Sequence, residues 1–206
     1  MEKNIPYNSK MLSRESQNLD KEEITSIVNL LESNGFKELI SQGKITLAMI
    51  RPNVGPDANL LGMPDLEAAE EIEKKITGLG FSMKFSFVWP KESITEFYDG
   101  GPKASMQKEK PIDPAKYPTR WEEFVDFMSS APTTIIYLFD PDNEAIKKWR
   151  DHLGHWNIDQ VRDPSTIRGS FGVNKYNNLV HGSDSSDSVS KETGMICSAL
   201  RKIANE

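Results

Sequence analysis

The sequence predicts an α+β protein: a ferredoxin-like β-α-β-β-α-β four-stranded antiparallel sheet covered by helices, with an N-terminal helical extension. Three observations carry that expectation. Ile45–Ile50 and Thr133–Phe139 are near-continuous apolar runs, as in strands buried on both faces. Phe81, Met83, Phe85 and Phe87 alternate with Ser82, Lys84 and Ser86, the period of a strand with one wet face near a sheet edge. Helix-period segments separate these strands, which puts the first and third in the centre of the sheet. A doubly wound parallel sheet competes, but the alternating second strand and the lack of a Gly-rich first βα turn count against it.

The elements follow in order. Residues 1–19 are polar and patternless, a loose arm. Asp20 with Glu23 forms a capping box, and Ile24, Ile27, Val28 and Leu31 recur at helical spacing, with Gly35 placed to end the helix. A second short helix spans Phe36 to Ile40 and stops at Gly43. This unit is too small to fold alone, so its stripe must pack on the main domain or on another subunit. Arg51 stands at the end of the first strand, and Val54 to Met63 is a loop. Pro64 opens a helix with the stripe Leu66, Ala69, Ile72, Ile76 and Leu79. After the second strand come a short helix, Lys91 to Tyr98, and a Gly/Pro/Lys-rich inserted loop at about 99–118. Trp121, Phe124, Val125 and Met128 mark a further helix. Asp142 is placed to cap one with Ile146, Trp149 and Leu153 inward, ending at Gly154. Residues 155–169 read as an irregular loop, Phe171 and Val173 as a last short strand, and the remainder as one or two helices. The expected division is residues 1–43, an arm and helical extension, and 44–206, the main domain.

Composition narrows the function classes. A formal charge of −6, from 25 basic and 31 acidic residues, argues against a general nucleic-acid or membrane-surface binder, so an anionic substrate needs a local arginine cluster. The single cysteine, Cys197, excludes a disulfide framework and falls in a helical apolar setting that suggests plain packing. No secretory leader and no membrane-length apolar run are visible, so a cytoplasmic protein is expected.

The chemistry concentrates in Asn178-Leu179-Val180-His181-Gly182-Ser183-Asp184. Gly182 allows a sharp turn beside the imidazole, Ser183 or Ser185 can cap the next helix, and Asp184 and Asp187 suit its positive first turn. A histidine near a helix N-terminus suits a nucleophile that carries a phosphoryl group. A single histidine is more often an ordinary turn residue, so the neighbourhood decides.

Three segments together resemble the nucleoside diphosphate kinase family: Met49-Ile50-Arg51-Pro52-Asn53, Thr166-Ile167-Arg168-Gly169, and the histidine stretch followed by Lys191-Glu192. The likeness covers roughly residues 44–195, and Pro164 to Glu192 carries its most specific motifs. The resemblance implies γ-phosphate transfer between nucleoside tri- and diphosphates by a ping-pong reaction, an oligomer, and Mg²⁺ carried by the nucleotide phosphates rather than by a protein metal site. His181 matches the phosphorylated nucleophile, Glu192 the carboxylate on its far ring nitrogen, and Ser183 the serine supporting that pair. Arg150 and Arg168 match the two arginines on the phosphates, Asn178 the ribose-binding asparagine, and Tyr98 the tyrosine beside the histidine.

The departures are specific. Arg51 replaces a lysine that touches ribose and phosphate, Asn53 an aspartate, and Trp156 a phosphate-binding threonine, with Asn157 displaced by a one-residue-longer loop. Lys175 replaces an apolar base contact, and the base-stacking aromatic has no clean counterpart around Pro118 to Trp121. The 99–118 insert is extra and the C-terminus short. A nucleotide-binding regulatory or assembly module with little turnover is the alternative, and a ferredoxin-like interaction domain without nucleotide a weaker third.

Overall fold

The computed structural model describes residues 19–52, 74–76, 78–80, 83–172 and 178–205. The arm through residue 18, the helix start at Pro64 with Leu66, Ala69 and Ile72, and Asn53, Phe81, Val173 and Lys175 lie outside the described residues.

Helix α1 (Lys21–Glu32) begins at Asp20, whose carboxylate accepts from the Glu23 amide at 2.8 Å while Glu23 accepts from the Asp20 amide at 3.1 Å. Gly35 does not end it. Ser33 does, donating its amide to the Leu30 carbonyl, and its hydroxyl then caps α2 (Asn34–Ser41) by accepting from the Phe36 amide at 3.2 Å. One serine serves both ends because two orphan sets of backbone groups meet there.

The sheet consists of β1 (Ile45–Ile50), β2 (Met83–Phe87), β3 (Thr133–Phe139) and β4 (Val180–Gly182), in the order β2-β3-β1-β4 with every pairing antiparallel. Buried β1 and β3 are central, and half-wet β2 is an edge, as their patterns require. The fourth strand differs from expectation. Phe171 ends a short helix, and the strand forms later, where Met49 pairs with His181 and Ile50 with Val180. Ladder pairing with β1 creates this strand; its own three residues have no strand-like alternation.

Between β2 and β3 lie α3 (Lys91–Phe97), α4 (Gly101–Met106) and α5 (Arg120–Met128). The insert is therefore partly helical. It is fastened to α5 by the Glu123 carboxylate, which accepts from the Ile112 amide at 2.9 Å and the Asp113 amide at 2.9 Å and pairs with Arg120. Helix α6 (Ala145–Leu153) is not capped by Asp142. The Asp142 amide is instead held by Asp140 at 2.7 Å, Asn143 turns at φ 63°, and the helix starts after Glu144 with the Ala145 amide on the Gly43 carbonyl at 3.2 Å. Helix α7 (Ile167–Phe171) and the single helix α8 (Ser186–Asn205) complete the chain.

The two faces of the sheet bury separate cores. Ile45, Leu47, Met49, Ile135 and Tyr137 pack under α1, α2 and α8, where Ile24, Ile27, Leu31, Phe36, Ile40, Ile196 and Leu200 meet them. The N-terminal stripe thus packs on this chain's own α8. Cys197 lies in that core, its thiol pushed up to about 11 by burial. Ala48, Ile50, Ile136, Leu138 and Val180 pack on the other face against Trp149, Leu153 and Ile167. No described helix is long and apolar enough to cross a membrane.

Candidate active site

The site lies where β1 ends and β4 begins, and helices from both faces converge there. Alternation along β4 sends Val180 into the core beneath α6 and α7, and His181 to the opposite face with Met49. There His181 meets Phe97 edge-on, with ring centroids 5.5 Å apart, and Tyr98 at 6.5 Å. Gly182 is needed for space rather than for a turn. A Cβ there would lie 2.2 Å from the indole nitrogen of fully buried Trp149.

After β4, Ser185 caps α8, its hydroxyl accepting from the Ser188 amide at 3.1 Å. The helix then brings Glu192 back beside the strand. Its Oε1 lies 2.9 Å from His181 Nε2, and its Oε2 accepts from the Ser183 hydroxyl at 2.5 Å. A carboxylate is an acceptor, so Nε2 carries the proton and Nδ1 keeps the lone pair. Among the described residues Nδ1 has no hydrogen-bond partner. The imidazole and carboxylate side chains are 20% and 15% exposed, so the pair is sheltered yet reachable.

Arginines come from three elements. Arg168 on α7 is buried, donating Nη1 to the Gly154 carbonyl at 3.2 Å and Nη2 to the Val180 carbonyl at 3.0 Å, while its Nε has no partner among the described residues. Burial, then the charges of Arg51 and Arg150, push its pKa down to about 9, and no carboxylate among the described residues offsets them. Arg51 donates Nη1 to Asn178 Oδ1 at 3.1 Å, and the Asn178 amide donates to the Trp156 carbonyl at 3.2 Å. The Arg51 guanidinium carbon lies 5.7 Å from the Tyr98 ring centre and 5.6 Å from that of Phe124. Arg150 is exposed on α6. Gathered guanidiniums raise one another's cost until an anion lies between them, an arrangement chemically suited to phosphate oxygens.

Leu179 joins the halves. It takes the left-handed region at φ 70°, its carbonyl accepting from the Arg51 amide at 2.9 Å. The structure thus brings His181, Ser183, Glu192, Tyr98, Arg51, Arg168 and Asn178 to one sheet end, with Arg150 electrostatically coupled to it. Trp156 is 58% exposed at its rim, Asn157 is buried behind it, and Trp121 is core, packed on Phe124. Sequence reasoning missed the neighbours Phe97, Phe124 and Trp149, which carry only a core-stripe signal. Among the described residues no three His, Cys, Asp or Glu side chains gather as a metal cage.

Known proteins share this fold. A nucleoside diphosphate kinase from Aquifex aeolicus is 33% identical over 125 residues, 59% of this chain and 77% of that protein. One from Corynebacterium diphtheriae is 31% identical over 147 residues, 71% of this chain and 91% of that protein. A crystal structure of the Aquifex aeolicus nucleoside diphosphate kinase has a TM-score of 0.50 at 29% identity, over 74% of this chain and 94% of that one. With the family model for nucleoside diphosphate kinase matching residues 44–200, the chain belongs to the nucleoside diphosphate kinase family.

Proposed function

We propose that the protein moves the γ-phosphate of a nucleoside triphosphate to a nucleoside diphosphate through a phosphohistidine on His181. The observation that carries this is the His181–Glu192 pair, which leaves Nδ1 with its lone pair on the strand whose Val180 carbonyl accepts from the Arg168 guanidinium. In the first half-reaction the Nδ1 lone pair forms an N–P bond to the γ-phosphorus as the bridging P–O bond breaks. The diphosphate leaves with those electrons. In the second, a terminal oxygen of the incoming diphosphate attacks the phosphohistidine and restores the imidazole. Glu192, steadied by Ser183, compensates the positive charge that grows on the ring. Arg168, Arg150 and Arg51 hold phosphate oxygens, Asn178 serves the ribose, and Tyr98 flanks the histidine. Transfer of this kind depends chiefly on positioning and charge stabilisation. Mg²⁺ enters as the nucleotide complex.

We further assign the catalytic unit to residues 44–206 and an N-terminal arm and helical extension to residues 1–43, of which α1 and α2 pack on it, the whole working as a homo-oligomer in the cytoplasm. A second reading, a nucleotide-binding module with little turnover, has one observation in its favour: the Asn178 side chain already bonds Arg51 and the Trp156 carbonyl.

Incubation with γ-labelled ATP tests the assignment. Label that is acid-labile, base-stable, chased by a second nucleoside diphosphate and absent from His181→Ala is expected. Binding without label favours the regulatory module, and label persisting in His181→Ala removes His181 as nucleophile.

A further inference from the structure

Resting on the reading above, we propose that Phe124 is a positioning residue: with Tyr98 it forms an aromatic corner that orients the Arg51 guanidinium toward the phosphates. The two rings meet at 89° with centroids 5.0 Å apart. The Arg51 guanidinium carbon lies 5.7 Å from the centre of the first and 5.6 Å from that of the second. Asn178 Oδ1 at 3.1 Å fixes the direction of the fork, and the Arg51 amide ties its backbone to the Leu179 carbonyl.

The corner is rigid. Tyr98 and Phe124 are 6% and 3% exposed, the Tyr98 hydroxyl rests on the Met49 sulfur at 3.7 Å, and Phe124 packs on Trp121. Arg51 also feels the like charge of Arg168. A guanidinium on a free stem would swing away from that charge into solvent. Attraction to two ring faces opposes the swing and orders the fork before any anion arrives. A guanidinium is planar and weakly hydrated, so it suits this corner better than an ammonium does. Arginine at position 51 is therefore built into the site together with Phe124, and Arg51→Lys lowers activity rather than raising it.

The test is calorimetric titration of the full chain with MgADP, comparing wild type, Phe124→Leu, Arg51→Met and the double variant. Phe124→Leu weakens binding about five- to tenfold, and Arg51→Met by about tenfold or more. The double variant matches Arg51→Met within about twofold, because the ring acts through the arginine. Phe124→Tyr keeps the ring face and stays within about twofold of wild type. Unchanged affinity in Phe124→Leu, or losses that multiply in the double variant, overturns the proposal. Should Phe124→Leu not fold, the Arg51 Nε–H resonance of the wild-type protein decides. Ring currents displace it upfield, and a free-arginine position overturns the corner. A wild type that does not bind MgADP overturns the parent reading and this one together. A wild type that binds, with Phe124→Leu its equal, sinks the corner alone.

Discussion

The imidazole half and the guanidinium half of the site are built on opposite principles. In the first, His181 Nε2, the Ser183 hydroxyl and both Glu192 oxygens are matched within the protein, donor to acceptor and charge to dipole. In the second, Arg168 is buried beside two other cations, with its Nε unpartnered among the described residues. The first half is electrostatically at rest, so it fixes a tautomer and a direction. The second is held against its own repulsion by carbonyls and aromatic rings, so it gains when an anion arrives. In the proposed reaction affinity falls to the cations and bond making to the imidazole, and the two can be varied separately.

The largest effect is expected from Arg168→Met. Loss of a preorganised charged donor lowers kcat/KM by about 10²–10³-fold, mostly through KM. A fall confined to kcat would erase the division. Next is ligand-linked stability: MgADP at about a hundredfold its Kd adds about 2.7 kcal/mol and raises Tm by about 5–10 °C in a melting experiment. The gain shrinks in Arg168→Met and persists in His181→Ala. A gain that tracks His181 instead would reverse the roles of the halves.

Glu192→Gln keeps the shape of the acceptor but not its charge. It should lower kcat by about 10–100-fold with KM nearly unchanged in steady-state assays. Combined with Arg168→Met its effect should multiply, and strong non-additivity would show one coupled site rather than two halves. Ser183→Ala removes one bond to the carboxylate and should lower kcat about tenfold, the equivalent of roughly 1.4 kcal/mol.

The smallest effect concerns Asp184, whose carboxyl the Ser188 hydroxyl at 2.6 Å holds below its usual range. A depressed folded pKa stabilises above the unfolded value, 3.8, and the benefit is lost as pH falls through the folded one. Asp184→Asn should therefore leave kcat alone and remove a small stability increment at pH 7 that is lost as pH falls through the depressed folded value. An increment that grows in acid, read from denaturant midpoints, would contradict this.

The imidazole half was legible in the sequence because it is local: His181, Ser183 and Glu192 lie on one strand, the link after it and the helix that follows. The Asp20–Glu23 box and the alternation of β2 were legible for the same reason. The guanidinium half was legible in part, through the Thr166-Ile167-Arg168-Gly169 motif, but its supports arrive across space. Phe124 reads as core in a helical stripe, and only the fold sets it beside Arg51. Helix α7 was hidden by its brevity and by Gly169, a poor helix former. That glycine is required by contact: a Cβ there would meet the Asp163 carbonyl oxygen at 1.7 Å. Strand β4 was hidden because pairing with β1, not side-chain period, creates it.

Leu179 carries a mutational consequence. With the Val180 amide on the Asn178 carbonyl at 2.8 Å, its φ of 70° makes it the centre of a γ-turn, a strained conformation for a residue with a side chain. Glycine would relieve that strain, worth about 1–3 kcal/mol. Yet the leucine side chain is 2% exposed in the lower core, and deleting it forfeits about 1.5–3 kcal/mol of burial. Valine or isoleucine keeps the burial and worsens the crowding at the backbone. Bend and core draw on the same residue with opposite demands, so each of these replacements loses on one side. The bend at position 179 thus ties the direction between His181 and Arg51 to the packing of a side chain that belongs to neither.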